Sequence, residues 1–442
     1  MNERPDVLLD ALSTLPELEA VFSDAAVLSA MLRFEIALAR AESRRGIISE
    51  RAADAIASLT IDSLDAAAIA RNARASATPA VPFVDALVAA LEGTSREAAA
   101  VVHRGATSQD VTDTALVLCL LRAQPIVDGF HERIASALRR LSHEHAGTVM
   151  LARTLLQPAA PTTFGLKAAG WLGSLSRSYE TMAEAFRRTC VLQFGGAAGT
   201  LAALGGDGWR VAEELARELG VPLPDAPWHA HRDRPASLVA ACGVYAGAVS
   251  KAARDIALLM QAEVGEAAEP GGGSSAMPHK RNPAGCAVAM TSAARLPGLV
   301  ATFLAGMAHE HERGLAGGPA EWTTVSTAVI ATGSAAAALA GVVESLRVDR
   351  GRMREALDGM HGTILAERAM LLLAPVLGRQ AAADAVRQAL AASASGGFMA
   401  ALLADPAAAP IIQAAPAGFE DPHHYLGMAD QFRRRLTGDA SE

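Results

Sequence analysis

Residues 113–145 read DTALVLCLLRAQPIVDGFHERIASALRRLSHEH. Gly129 is the one glycine in this stretch and Pro125 the one proline. Leu, Ala, Arg and Glu, all strong helix formers, carry most of the rest, so the stretch predicts a single long helix. Residues 163–193 and 236–266 repeat the pattern, and residues 287–312 fit a further long helix. Near the N-terminus Val27, Met31, Phe34 and Leu38 step by four, three and four, which places them on one helical face. Ser23 or Asp24 can cap that helix and Gly46 can end it. Aromatic residues are only 4% of the chain, and no period-two alternation runs through it. Long helices several times over predict an all-α chain built on a central bundle and argue against a Rossmann-type sheet.

Breakers divide the chain into three expected parts. Residues 1–100 hold shorter helices with a turn at Thr78-Pro79-Ala80-Val81-Pro82. Residues 101–345 hold the long helices. Residues 346–442 return to short helices, broken at Gly396-Gly397 and in the Pro-rich stretch 404–422. The Ala-rich tracts read as small-residue helix interfaces, and no repeat of 20–50 residues is present.

Composition narrows the function. The chain has 442 residues, 51% hydrophobic and 19% charged, which suits a globular protein with a large core. A net charge of −8 argues against a nucleic-acid protein, while leaving room for a local basic pocket. Cys119, Cys190, Cys242 and Cys286 form no CxxC, so neither a disulfide framework nor a thiolate zinc site is expected. The acidic N-terminal segment has no apolar signal core. The longest uncharged apolar run, 328–343, falls short of the ~18–20 residues of a membrane helix. A cytoplasmic protein is expected. His143-Glu144-His145 and His309-Glu310-His311 place imidazoles two apart, on different sides of a helix, and HExxH is absent. No metal or other cofactor is expected. No GxSxG surrounds Ser274, which argues against a serine-hydrolase triad.

The segment with the most chemistry is 271–283, GGGSSAMPHKRNP. Three glycines precede a hydroxyl, a cation and an amide, with prolines on either side of the cation. Such a segment suits a loop that closes over a ligand. A solvent loop or a phosphate-binding loop is the alternative, but the Gly-Lys-[Ser/Thr] of a Walker loop is missing.

GSSAMPHKRNP resembles the signature loop of the fumarase/aspartase superfamily, whose members eliminate a group β to a carboxylate or run the reverse addition. His103-Arg104-Gly105-Ala106-Thr107-Ser108-Gln109-Asp110 resembles that superfamily's first carboxylate-binding region. The resemblance spans nearly the whole chain. It implies an all-α, tetramer-forming fold, with each active site shared between subunits. It also implies that Ser274 is the base beside the substrate carboxylate, and that Lys280 acts in the same loop as Asn282, Ser275 and Met277 bind substrate. Thr107, Ser108, Gln109 and His103 are implied as further donors. Removing a proton α to a carboxylate builds a dianion that needs such fixed donors and cations.

A second superfamily region, Gly-x-Thr-His-x-Gln, corresponds here to Ala152-Arg153-Thr154-Leu155-Leu156-Gln157. Leu155 replaces the His, and Ala287 replaces the Glu that orients it. Arg153, Thr154 and Gln157 remain as binding candidates. Water or amine leaving groups benefit from a proton donor, whereas a carboxylate, with a conjugate acid of pKa ~4, does not. The double loss therefore resembles the 3-carboxy-cis,cis-muconate cycloisomerases of this superfamily, which close a lactone by adding a carboxylate across a conjugated C=C. Segments 192–199, 227–234, 310–313 and 421–427 resemble that branch too. A small tricarboxylate substrate would draw on cationic groups, for which Arg153, His229, Arg232, Lys280 and Arg313 are the candidates. Gly317-Gly318-Pro319-Ala320-Glu321-Trp322 lacks the bulkier residues of that branch, and the lead-in after Glu269-Pro270 is shorter. The alternatives are a lyase that expels a good leaving group from a substituted succinate, and a catalytically silent helical scaffold.

Overall fold

The computed structural model describes residues 8, 10–273, 276–315, 317–393 and 396–439. The described chain is predominantly helical. It divides into two compact units, each gathered from three stretches of sequence. The first holds residues 1–131, 177–250 and 288–338, and the second holds 132–176, 251–287 and 339–442. The boundaries fall inside helices.

In the first unit the N-terminal helix runs Asp24–Arg44, and Ser23 caps it by accepting the Ala26 N–H. Met31, Phe34 and Leu38 are fully buried along the expected face. Gly46 ends the segment in the left-handed region, at φ +70°. The first long helix, Ser108–Glu144, begins five positions before the breaker pattern alone suggests and carries Pro125 inside it. The stretch 287–312 is not one helix but two, Ala284–Ala293 and Leu296–Gly306. Pro297 in the first turn of the second cannot donate an N–H, which ends the preceding hydrogen-bond ladder.

Helix Gly317–Ser345 extends the apolar run 328–343 on both sides. It is long and apolar enough by composition to cross a membrane, as are Asp233–Leu259 and 284–306. Its most apolar window is 72% buried within the protein's own core. Small residues make that packing close. A Cβ added at Gly333 would sit 2.2 Å from Leu18 Cδ1.

The second unit contains strands that the sequence pattern misses. Strands Val149–Thr154 and Gln157–Thr163 form an antiparallel hairpin leading into helix Phe164–Thr189. Its turn residues, Leu155 and Leu156, both have positive φ, at +51° and +64°. Two successive left-handed residues match the right-handed twist of the strands, though Asn-Gly is the usual pair there. The hairpin packs Val149 and Leu151 against Leu357, Ile364 and Leu365. The C-terminal helices enclose their own core around Leu373, Phe398 and Leu402.

Candidate active site

Helix Ser108–Glu144 carries two fully buried carboxylates in its first two turns, Asp110 and Asp113. Asp110 accepts the backbone N–H of Thr107 at 3.0 Å, which closes the helix start. It also accepts the N–H groups of Gly195 (3.0 Å) and Gly196 (2.9 Å) and faces His229 Nε2 at 2.7 Å. A buried carboxylate survives only with such compensation. At both glycines the approach is close: a Cβ on Gly195 would sit 2.6 Å from the Pro227 ring, and one on Gly196 2.8 Å from the Gly105 carbonyl.

Asp113 anchors the next layer. Arg232 donates to both its oxygens, at 2.8 and 3.1 Å, and its Nε donates to Glu321 at 2.7 Å. Gln109 Nε2 donates to Asp113 and to the His229 carbonyl, and Gln193 Nε2 donates to Asp113. Arg232 also lies over the Trp228 ring at 4.7 Å. Its two carboxylate partners outweigh burial and hold the guanidinium firmly protonated. Glu321 lies 3.1 Å from buried His309 Nε2, a contact distance without hydrogen-bond alignment. Burial raises the Glu321 pKa against the pull of Arg232.

A third group stands behind the 103–110 segment. His103 adopts φ +65°, and its Nδ1 lies 2.7 Å from Glu35 Oε1. Burial opposes the imidazolium, but the Glu35 contact prevails and its pKa is raised. Two turns beyond Glu35 on the same helical face, Glu42 is also buried. Desolvation, with Arg104 opposing and Glu35 adding to it, pushes its pKa up to about 8. Arg313 donates to the carbonyls of Gly196 and Ala197, pinning from outside the loop that Asp110 holds from inside.

The remaining sequence-identified residues lie in the second unit. Arg153 pairs with the buried carboxylate of Glu266 through two hydrogen bonds, at 2.9 and 2.6 Å. Thr154 and Gln157 are exposed partners at the hairpin end, and Leu155 at its tip is 96% exposed. Met277 and Lys280 are exposed and Asn282 is half-buried. Ser274 and Ser275 lie outside the described residues. Ala287 sits in the first turn of helix Ala284–Ala293, its N–H bonded to the Pro283 carbonyl.

Three of the cation candidates thus already have anionic partners: His229, Arg232 and Arg153. The partners Asp110, Asp113, Glu321, Glu266 and Glu35 carry the electrostatics of these clusters. Of these, only Asp110 falls within a segment singled out from the sequence for chemistry as a motif, and Glu321 within one noted as a departure. Among the described residues, no group of three or more His, Cys, Asp or Glu is arranged to hold a metal ion.

Comparison with known proteins bears on the chemistry. A family pattern described as lyase matches residues 12–298. The chain is 42% identical to the 3-carboxy-cis,cis-muconate cycloisomerase of Pseudomonas aeruginosa, over 98% of this chain and 96% of that one. It is 40% identical to nitrosuccinate lyase of Streptomyces davaonensis, over 95% and 92%. The crystal structure of 3-carboxy-cis,cis-muconate lactonizing enzyme from Pseudomonas putida aligns with TM-score 0.90 at 39% identity, covering 98% of each chain.

Proposed function

The chain belongs to the lyase family of the fumarase/aspartase superfamily, and on that premise we propose that it cycloisomerises 3-carboxy-cis,cis-muconate. One substrate carboxylate oxygen adds across the conjugated double bond. A C–O bond forms, the C=C electrons move into the neighbouring carboxylate as an aci-carboxylate, and a proton then reaches the carbon beside it. The product is 4-carboxymuconolactone, a step in the breakdown of aromatic compounds. Ser274 is the group that moves the proton, taking it in the reverse direction as base. Lys280 and Asn282, with Thr107, Ser108, His103 and Arg313, hold the carboxylates. Gln109, His229, Arg232 and Arg153 position these groups through their buried partners. The protein works in the cytoplasm as a homotetramer with shared sites.

The observation that carries the reading is Leu155. It stands where an imidazole would serve a poor leaving group, and a carboxylate needs none. An ultraviolet assay with 3-carboxy-cis,cis-muconate tests it: the diene absorbance should disappear on turnover. A second reading follows from the similarity to nitrosuccinate lyase. Nitrite too leaves without a proton donor, so elimination from a substituted succinate would also tolerate Leu155. Growth of fumarate absorbance from a succinate panel, with the diene untouched, would select that reading.

A further inference from the structure

We propose that Glu269 is a positioning residue that clamps the stem of the catalytic loop. This rests on the reading above, in which that loop carries Ser274, Lys280 and Asn282. Glu269 stands five residues before Ser274 and is 5% exposed. Its carboxylate reaches across the loop to the start of helix Ala284–Ala293. Oε1 accepts the Gly285 N–H at 2.7 Å, and Oε2 accepts the Cys286 N–H at 3.2 Å and the Cys286 thiol at 3.3 Å. A carboxylate buried at a helix N-terminus also gains from the helix dipole.

Above this clamp lies a second tie. Asn282 N–H donates to the Gly272 carbonyl at 2.7 Å, and Gly273 bridges to Arg281. Gly272 has φ +64°, and a Cβ there would sit 1.9 Å from the Asn282 oxygen, so only glycine permits the tie. Gly285 has a matching demand: a Cβ there would sit 2.5 Å from Val342 Cγ2 and 3.3 Å from Glu269 Oε2. The two ties fix the ends of the segment that bears the base and the cation. A helix cap alone would need neither the second tie nor the close approach at Gly285. Loop placement matters to rate because a shift of ~1 Å at a reacting group can cost ~100-fold.

The test compares Glu269→Ala and Glu269→Gln with the unaltered chain. Trypsin cleavage after Lys280 and Arg281 needs no substrate and reads the loop directly. Cleavage should accelerate in the Ala variant and less so in the Gln variant, which keeps one acceptor. In the diene assay kcat should fall by ~10–100-fold, with the thermal midpoint only slightly lowered. Unchanged cleavage with kcat within about twofold of the unaltered chain would overturn the proposal. So would a lowered midpoint with kcat unchanged, which is what a helix cap alone would give. If the Ala variant does not fold, the Gln variant decides on the same readouts. If the unaltered chain leaves the diene intact, the substrate assignment fails while the cleavage comparison still judges the clamp.

Discussion

His229 Nε2 sits 2.7 Å from Asp110 Oδ1, and the same carboxylate takes three backbone N–H groups, one from nearby Thr107 and two from the distant Gly195-Gly196 turn. The pair joins the helix start at residue 108 to the 195–196 turn and the 227–232 segment. Asp110→Asn keeps the size but turns one oxygen into a donor that must face N–H groups. Leaving buried donors of this kind without their charged acceptor costs about 1–3 kcal/mol. Urea unfolding should show a loss of that order. A loss below ~1 kcal/mol, the value of an exposed pair, would mean the carboxylate does not hold the three segments together.

Glu42 predicts a pH effect with a definite sign. Its pKa is pushed up to about 8 by burial, from 4.5 in an exposed chain. Between those values the folded protein holds a proton that the unfolded chain releases, so stability falls as pH rises through this window. Below 4.5 the contribution is fully present. Glu42→Gln removes the titration. The variant should be more stable than the parent at pH 8 and should show a flatter stability profile from pH 5 to 8, as read by unfolding at each pH. Parallel profiles for the two proteins would place the titrating group elsewhere.

The long helices are legible in the sequence because their signals are local: helix formers, spacing and breakers within one stretch. The true start at Ser108 is not, since it depends on Asp110 closing onto Thr107 and onto amides 85 and 86 residues away. The hairpin escapes notice for a related reason. Its second strand holds Pro158 and Pro161, and Leu155-Leu156 stands in a turn that normally shows Asn-Gly. The loop 271–283 is readable as a motif. The pairing of Arg232 with Asp113 and Glu321 is not, because each partner lies 89 or more residues away. A lone arginine reads the same whether it waits for a substrate or sits in a buried ion pair.

Ser274→Ala removes the proposed base and little else. The chain should fold and assemble as before, while kcat falls by several orders of magnitude and KM changes much less. Steady-state kinetics beside a thermal melt will show this. Turnover near that of the parent would assign the proton transfer to another residue.

Leu155→His restores an imidazole at the position where the superfamily usually has one. Two features say that it should gain nothing. The side chain stands at a hairpin tip with φ +51°, and the residue that would orient the imidazole is Ala287, which has no carboxylate. An imidazole without a fixed partner has neither a set tautomer nor a set direction. Moreover, a carboxylate or nitrite leaving group does not require protonation, so a new acid has no charge to relieve in the transition state. Turnover of the native substrate should therefore stay level or fall in Leu155→His, and adding Ala287→Glu should not rescue it. A clear rise in kcat, in the single or the double variant, would show that proton donation limits the reaction. That result would point to a poorer leaving group than either proposed substrate carries.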